Sequence, residues 1–285
     1  MGAQKPLTTR PRVKIVITGS SSGIGLKLVA HLTGAGHQVW GFSRRAQPLS
    51  APDPPSLVRH SRGDVSSWES VSAFRRELGS DWAALDALIC CAAIQGPIGP
   101  AVAIDPRDWC ATLETNLNGT FYAIRAFHDL LIRSAARPKI ICFSGGGSTS
   151  PRPNFSAYAA SKTAVVRLVE NLAAEWQGEP IDINAVAPGA VDTQMTDQVI
   201  ALGAALAGEK EYRSALEQKA QPQSHKYPEL VSFLLSPSSD GITGRLLSAV
   251  WDPWRQLASH REDLLSTDIY TLRRITPEGR GRKFD

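Results

Sequence analysis

The sequence has no long hydrophobic run. None of its 285 residues belong to a stretch that approaches the roughly 18 apolar residues of a membrane helix. The amino-terminal segment, MGAQKPLTTRPRVK, has no apolar centre and so does not resemble a secretory signal. We therefore expect a cytoplasmic protein without membrane attachment, in which residues 1–12 form a short basic arm.

Cysteine is scarce, and charge of one sign is not in large excess. The four cysteines, Cys90, Cys91, Cys110 and Cys142, show neither a CxxC zinc spacing nor a secreted disulfide framework. We expect buried, reduced thiols and no metal site. The net charge of +4 is too small to indicate a nucleic-acid partner.

The sequence does contain short apolar, β-branched runs that alternate with longer segments of helical period. Strands that are apolar on both faces and separated by helices indicate a parallel sheet covered on both sides. This pattern predicts an α/β fold over residues 13–250, with a single Rossmann-like, doubly wound parallel sheet of about seven strands and helices on both faces. The strand candidates are VKIVIT (13–18), QVWGFS (38–43), LVRHSRGDV (57–65), LDALICCAA (85–93), KIICFS (139–144), IDINAVAP (181–188) and GRLLSAV (244–250).

Four further segments complete the organisation. We expect long helices over 108–135 and 155–177. The polar, Ala-rich segment 192–228 leaves the sheet at a strand end, where it can close over a substrate as a lid. Residues 251–285 are expected to form an extension that packs on the domain or on a neighbouring subunit.

The segment TGSSSGIG closes the first strand and opens a helix. Gly19 permits the tight turn, Gly23 lets the backbone approach a pyrophosphate, and Gly25 allows the helix to pack closely on the strand. The helix N-terminus presents free N–H groups to the anion. We predict that this loop binds a nucleotide through Thr18, Gly19, Ser21, Ser22, Gly23, Ile24 and Gly25.

The second strand ends in GFSRR, with Ser43, Arg44 and Arg45 but no acid. A carboxylate at this point would accept hydrogen bonds from the ribose 2′-hydroxyl of NAD, whereas a guanidinium pairs with a 2′-phosphate. This favours NADPH/NADP+ as the cofactor over NADH. The alternative is that both arginines are simply solvated.

Tyr158 and Lys162 stand four positions apart, so they share one face of a helix. Ketone reduction needs a hydride on carbon and a proton on the developing alkoxide. A free tyrosine has a pKa of about 10, and a nearby ammonium favours its phenolate. In isolation, the same spacing would fit an exposed aromatic and a solvated lysine.

Several motifs occur in order between Val13 and Ala249. They are TGSSSGIG, Asp64-Val65 after the third strand, TNLNG with Asn116, YAASK with Tyr158 and Lys162, and PGAVDT from Pro188 to Thr193. Together they resemble the classical short-chain dehydrogenase/reductase (SDR) family.

The resemblance implies a role for each of these residues. Tyr158 would be the acid/base, and Lys162 would assist it and bind the nicotinamide ribose. Ser144 would orient the carbonyl, and Asn116 would support a proton-relay water. Asp64 and Val65 would contact the adenine, and a role of Asp64 as a helix N-cap is compatible with this contact. Thr193 would reach the nicotinamide carboxamide, unless it is only a cap. The remaining cofactor contacts would come from Cys91, Ala92, Ala93, Pro188, Gly189 and Val191. Helices at 108–135 and 155–177 commonly build interfaces in this family, which implies a homodimer or homotetramer.

Three departures from the family pattern matter. Ser144 lies 14 positions before Tyr158 (158 − 144), one more than usual, and Gly145 holds the usual serine position; Ser148 is the reserve candidate. The usual Asn-Asn-Ala-Gly reads Cys90-Cys91-Ala92-Ala93, which lacks the amide hydrogen bonds. The glycine-rich ending is replaced by AVWDPWRQL, whose Trp251, Asp252 and Trp254 either form a wall for a sugar or cyclitol or lock the C-terminal segment in place.

The sequence therefore predicts an NADP(H)-dependent oxidoreductase that interconverts a ketone and a secondary alcohol on a small molecule, with a sugar- or cyclitol-like substrate favoured. Two other functions stay open. One is reduction of an activated C=C bond, and the other is a non-catalytic NADP(H)-binding sensor or scaffold.

Overall fold

The computed structural model describes residues 12–46, 57–221 and 226–283, so nearly all of the predicted basic arm lies outside the described residues. A single parallel sheet of seven strands has the order β3-β2-β1-β4-β5-β6-β7. The sequence-based prediction of a doubly wound α/β fold is confirmed. The strands are β1 (Lys14–Thr18), β2 (Gln38–Ser43), β3 (Val58–Arg62), β4 (Ala87–Cys90), β5 (Lys139–Phe143), β6 (Asp182–Ala187) and β7 (Leu246–Ser248).

Helices cover both faces of the sheet. They are α1 (Gly23–Gly34), α2 (Trp68–Asp81), α3 (Pro106–Leu113), α4 (Gly119–Leu131), α5 (Ser156–Glu175), α6 (Gln194–Ala207), α7 (Glu209–Ala220), α8 (Lys226–Leu234) and α9 (Arg261–Ser266). The expectation of a long helix over 108–135 holds for most of that range, because α3, a π-helical turn at Glu114–Asn118 and α4 follow one another without a break. The helical run begins at Pro106 and ends at Leu131, short of the predicted end. Helix α5 agrees closely with the predicted 155–177.

The core forms two layers because successive side chains of a strand point to opposite faces of the sheet. Val16 in β1 packs into the layer under α2, α4 and α5. Ile15 and Ile17 pack into the other layer, under α1, α8 and the C-terminal segment. All three are fully buried, which explains why the central strands read as unbroken apolar runs.

The strand order reverses between β1 and β4. The chain builds outward through β2 and β3 on one side, then returns to the centre and builds outward through β5, β6 and β7. At such a point the loops after β1 and β4 leave in opposite directions, and a crevice opens at the carboxyl ends of the strands. The predicted functional residues lie at this edge.

The C-terminal segment packs along β7 of the same chain. The buried guanidinium of Arg245 donates hydrogen bonds to the carbonyls of Leu264, Thr267 and Ile269. The Leu246 N–H donates to the Tyr270 carbonyl at 2.8 Å. These bonds fix the segment beside the β7 edge of the sheet.

A buried charge cluster joins β5, β6 and the turn before β7. Asp182 is almost fully buried, and its carboxylate accepts from Arg137 at 2.8 Å, from Lys139 at 2.7 Å and from the Gly241 N–H at 3.0 Å. Lys139 also pairs with Asp240 at 2.6 Å. Removing the carboxylate leaves the buried Lys139 ammonium with one of its two anionic partners.

We predict that Asp182→Ala lowers the free energy of unfolding by about 3–5 kcal/mol, because a buried charge loses its partner. Urea unfolding followed by tryptophan fluorescence measures the change. The matched control is Asp81→Ala, which removes the half-exposed partner of Arg59 and should cost about 0–1 kcal/mol. Equal losses for the two variants would contradict this account of the cluster.

Candidate active site

The loop between β1 and α1 requires glycine at specific points. Gly19 has a φ of +70°, and a Cβ there would lie 2.7 Å from the backbone of Ala92. A Cβ on Gly25 would lie 2.3 Å from the Gly19 carbonyl oxygen. The Ala92 N–H donates to Thr18 Oγ1 at 3.3 Å, and the Gly19 N–H donates to the Phe42 carbonyl at 2.8 Å. The loop is thus held directly against the ends of β2 and β4.

A cleft of about 460 Å3 runs from this loop across the ends of the strands. One wall is the backbone of the glycine loop, which packs too closely on itself and on the loop after β4 to admit side chains at Gly19 and Gly25, and the first residues of α1 also line the cleft. These features suit a pyrophosphate, so the residues present fit a nicotinamide dinucleotide. The predicted residues that line the cleft are Gly19, Ser21, Ser22, Gly23, Ile24, Gly25, Ser43, Arg44, Arg45, Asp64, Val65, Cys91, Ala92, Ala93, Ser144, Tyr158, Lys162 and Thr193.

The two arginines after β2 lie at one end of the cleft, and both are exposed. Arg45 donates to Ser22 Oγ at 3.1 Å and to Gln194 Oε1 at 3.3 Å, so it joins the glycine loop to the start of α6. Arg62, which sequence reasoning missed, donates from Nε to the Arg44 carbonyl at 3.4 Å. The end of β3 therefore adds a third guanidinium next to the first two.

Asp64 forms a turn and does not cap α2. Its Oδ1 accepts from the backbone N–H of Ser66 at 3.0 Å and from the Ser66 hydroxyl at 2.8 Å. The N-cap of α2 is Ser67, whose hydroxyl accepts from the Ser70 N–H at 3.1 Å. The expectation that Asp64 could also serve as the N-cap was wrong, because α2 begins three residues later than that role requires.

Tyr158 and Lys162 are both buried on α5, at the inner end of the cleft. Lys162 donates to the Phe143 carbonyl at 2.8 Å, and its Nζ lies 5.8 Å from the centre of the Tyr158 ring. Burial lowers the pKa of Lys162 to about 8 and raises the pKa of Tyr158. Below about pH 8 the lysine therefore places a cation next to the tyrosine ring.

Ser144 lies where the cleft meets a second cavity, and it lines both. Gln95, which sequence reasoning missed, also lines both, and each residue is at least 95% buried. Within the described residues, Ser144 Oγ and Gln95 Nε2 have no hydrogen-bond partner. Buried polar groups usually find partners, so these two atoms fit a polar ligand at the junction. Ser148 lines only the second cavity.

The extra residue between Ser144 and Tyr158 places a glycine against the tyrosine hydroxyl. A Cβ on Gly145 would lie 2.6 Å from Tyr158 Oη. Position 145, where the family usually has serine, thus faces the tyrosine directly and carries no hydroxyl.

The second cavity has a volume of about 690 Å3 and opens beside Tyr158. Pro188, Gly189, Val191 and Thr193 line it on one side, and the C-terminal segment lines it on another. Thr193 is the N-cap residue of α6 by position, although no hydrogen bond from its side chain caps that helix within the described residues.

The two C-terminal tryptophans have different surroundings. Trp254 is buried, and its indole N–H donates to the Ala249 carbonyl at 3.2 Å, so it locks the segment onto the domain. Trp251 is 83% exposed and borders the second cavity next to Asp252. Asp252 accepts from the Ser248 N–H at 2.6 Å, and burial raises its pKa.

Asn116 lies in the π-helical turn and is fully buried. Its side-chain amide donates to the Ile94 carbonyl and to Ser161 Oγ, each at 3.0 Å, and its Oδ1 accepts from the Ile94 N–H at 2.8 Å. The side chain therefore fixes the loop after β4 against α5. π-Helical turns often occur at functional sites.

Two of the four cysteines, Cys90 and Cys142, are buried as expected, whereas Cys91 is half-buried. Cys90 and Cys142 are buried register partners on β4 and β5, and their mutual hydrogen bond and burial raise the pKa of Cys90. Cys91 borders the cleft. Cys110 is exposed on α3, so the expectation that all four are buried was wrong. Over 12–46, 57–221 and 226–283 we find no group of His, Cys, Asp or Glu suited to a metal, and no helix long and apolar enough to cross a membrane.

Comparison with known proteins agrees with this architecture. The family model for short chain dehydrogenase matches residues 13–201. A short chain dehydrogenase from Monascus purpureus is 27% identical, over 89% of this chain and 86% of its own length. Galactitol 2-dehydrogenase (L-tagatose-forming) from Cereibacter sphaeroides is 29% identical, over 81% and 91% respectively.

Solved structures point the same way. The ligand-free aldohexose dehydrogenase of Thermoplasma acidophilum superposes with a TM-score of 0.71 at 25% identity, covering 83% of this chain and 92% of that one. The fold and cleft are those of an oxidoreductase that binds a nicotinamide cofactor. The chain belongs to the short chain dehydrogenase family.

We predict that Gly145→Ala displaces the Tyr158 hydroxyl, because the new methyl group would lie 2.6 Å from it. A misplacement of about 1 Å can lower turnover about a hundredfold. The matched control is Gly146→Ala, whose Cβ would lie 3.7 Å from the nearest atom of Arg152. Comparison of kcat for the two variants tests the packing, and equal activity would contradict it.

Proposed function

We propose that the protein is an NADP(H)-dependent oxidoreductase that interconverts a ketone and a secondary alcohol on a small, sugar- or cyclitol-like molecule. The observation that carries this proposal is the meeting of Tyr158, Lys162 and the unpartnered Ser144 hydroxyl at the junction of the two cavities. One cavity suits the cofactor, and the other is large enough for a small substrate.

The proposed mechanism assigns a task to each side chain. The nicotinamide cofactor supplies hydride to the carbonyl carbon when it is bound. Tyr158 donates its phenolic proton to the developing alkoxide, and Lys162 stabilises the phenolate that remains. Ser144 donates a hydrogen bond to the substrate oxygen. In the oxidation direction, the Tyr158 phenolate accepts the alcohol proton.

In this mechanism Asn116 positions the loop after β4 and helix α5 and does not contact the substrate. Its amide ties the loop after β4 to Ser161, one helical turn from Tyr158. Since its side chain already makes three hydrogen bonds, the support for a proton-relay water inferred from the resemblance would have to come from the π-helical backbone around it.

The NADP(H) part of the proposal rests on charge at the end of the cleft. Arg44, Arg45 and Arg62 bring three guanidinium groups to the ends of β2 and β3. Guanidinium groups form bidentate hydrogen bonds with phosphate, and an NAD-type carboxylate does not follow β2.

We predict that Arg45→Gln weakens NADPH binding about ten- to a hundredfold, because a charge-assisted hydrogen bond is worth about 1.5–3 kcal/mol. Binding of NADH should change little, because it has no 2′-phosphate. Paired fluorescence titrations measure both, with Arg59→Gln as the control on β3 away from the cleft. Equal losses for the two cofactors would remove the 2′-phosphate assignment.

The substrate part rests on the second cavity and on two relatives. The cavity has polar walls that include Ser148, Asp252 and Thr271, next to the exposed indole of Trp251. An aromatic face beside hydrogen-bonding groups suits a polyhydroxylated ring. Galactitol 2-dehydrogenase and the aldohexose dehydrogenase described above carry sugar or polyol substrates in their names.

Three expectations complete the proposal. Helices α6 and α7 border the second cavity through Met195 and Ser214, which supports their role as part of a lid; positions 222–225 of that segment lie outside the described residues. The homodimer or homotetramer and the cytoplasmic location stay predictions. The exposed Phe121 on α4 is compatible with an interface there.

We predict that Tyr158→Phe abolishes turnover with NADPH and a panel of sugar ketones while it leaves NADPH binding intact. The reason is that phenylalanine keeps the ring but has no proton to donate. The matched control is Tyr227→Phe, which removes a buried hydroxyl from α8. Unchanged turnover in Tyr158→Phe would contradict the mechanism and favour C=C reduction with another proton donor. Cofactor binding without turnover by the wild type on ketones or activated alkenes would favour the sensor or scaffold.

A further inference from the structure

The loop of three glycines after β5 encloses an arginine. A Cβ on Gly146 would lie 3.7 Å from Arg152 Cδ, and one on Gly147 would lie 3.1 Å from Arg152 Cβ and 2.6 Å from Ala159 Cβ. Gly147 also has a φ of +94°, which disfavours other residues. Two of the glycines therefore make room for Arg152 and for the first turn of α5.

Arg152 is held beside Tyr158 by two aromatic rings and one carboxylate. Its Cζ lies 3.9 Å from the centre of the Phe155 ring and 5.7 Å from the centre of the Tyr158 ring. Its Nε donates to Glu211 Oε2 at 2.7 Å. The side chains of Arg152 and Glu211 are 17% and 21% exposed, so water screens this pair only partly.

Two cations thus approach the acid/base tyrosine from different elements. Lys162 comes from α5 itself, and burial lowers its pKa to about 8, so it loses its charge above that pH. A guanidinium keeps its charge throughout the pH range in which proteins stay folded. Arg152 opposes the effect of burial, which raises the pKa of Tyr158. The other ionisable groups around this part of the site are Cys91 after β4, Lys210 and Glu211 on α7, and Asp252 and Tyr270 in the C-terminal segment.

We propose that Arg152 is a positioning residue for proton transfer at Tyr158, and that Glu211 on α7 moderates its influence through their ion pair. This inference deepens the function proposed above and rests on its assignment of Tyr158. In reduction the Tyr158 O–H bond breaks and a new O–H bond forms on the substrate alkoxide. The positive charges of Arg152 and Lys162 then stabilise the negative charge of the Tyr158 phenolate. Oxidation reverses these changes.

The ion pair connects this chemistry to the segment that borders the substrate cavity. With α7 in place, Glu211 neutralises part of the Arg152 charge and keeps Tyr158 protonated, as a proton donor must be. A neutral residue at position 211 leaves the arginine charge unopposed and favours the phenolate. Removal of the arginine disfavours the phenolate, so the two substitutions should shift the pKa of Tyr158 in opposite directions.

The test is the tyrosinate absorbance of the full-length protein, read within milliseconds of a jump to alkaline pH so that unfolding does not contribute. Each variant is measured with and without Tyr158→Phe, and the difference isolates Tyr158 from the other tyrosines. Arg152→Met should raise its apparent pKa by about one unit, because a nearby charge shifts a pKa by about that much or more. Glu211→Gln should lower it, and Arg152→Lys should stay near the wild type.

The control is Glu209→Gln, which breaks an exposed ion pair with Arg213 on the same helix and should leave the titration unchanged. Wild-type behaviour of Arg152→Met, or equal shifts in Arg152→Met and Arg152→Lys, would overturn the role of Arg152. A rise in Glu211→Gln would overturn the role of Glu211. If Arg152→Met does not fold, Glu211→Gln and Arg152→Lys decide between these outcomes.

The titration needs neither cofactor nor substrate, so it separates this inference from the proposed function. If Tyr158→Phe did not change turnover, the proposed function would be contradicted, but the measured shifts in the pKa of Tyr158 would still stand. For a substrate that is turned over, the alkaline rise of alcohol oxidation should move to higher pH in Arg152→Met and to lower pH in Glu211→Gln. A profile unchanged in both variants would contradict the inference.

Discussion

The close approach of two backbones at the centre of the sheet is the constraint on which the other parts of the site depend. Gly19 follows β1 and lies against the backbone at Ala92 after β4, at a distance that admits no side chain. This contact sits where the strand order reverses, so it fixes the floor of the crevice and the start of α1 together. The loop after β4 is then held from the other side by Asn116, which ties it to α5, the helix that carries Tyr158. One packing contact thus sets the spacing between the cofactor cradle and Tyr158.

Burial has opposite effects on the two groups of the YxxxK pair. It makes the tyrosine a weaker acid and the lysine a weaker base, because the charged form of each loses its water. In a site without water, fixed charges must provide the stabilisation of ions that solvent provides elsewhere. Such preorganised groups are a main source of catalysis in enzymes. The carbonyl of Phe143 fixes the ammonium on one side, and the arginine held by the glycine loop stands on the other.

Much of the fold follows from local patterns in the sequence. The seven predicted strand segments correspond to the seven strands of the sheet. The central strands are buried on both faces, so nearly all of their residues are apolar. The predicted helix over 108–135 contains a π turn that the sequence did not reveal, because helical periodicity persists through such a turn. Cys110 was misjudged because a cysteine next to a tryptophan on a helix gives no sign of which face it occupies.

The candidate site was predictable where residues follow strands in recognised motifs, and less so where it depends on tertiary contacts. Gln95, Arg62 and Arg152 belong to no recognised motif. Their place in the site is visible only from their tertiary contacts with the cleft, Arg44 and Tyr158 respectively. The orphaned amide of Gln95 is visible only once the surrounding chain has buried it. The three glycines raise the question of what they accommodate, and only the folded chain shows that Arg152, Tyr158 and Ala159 lie against them.

The two cavities draw their walls from different parts of the chain, because the described part of the C-terminal segment lines only the second one. The described residues that line the first cleft all lie between Gly19 and Gln198, whereas one wall of the second cavity comes from Trp251, Asp252, Tyr270 and Thr271. That wall is attached through the backbone carbonyls that Arg245 holds, and carbonyls are the same whatever the side chains are. Apart from Trp254 and the leucines buried in the core, side chains of this segment can therefore change without loss of the carbonyl anchor. Under the proposed function, residues that select the substrate can change independently of residues that bind the cofactor.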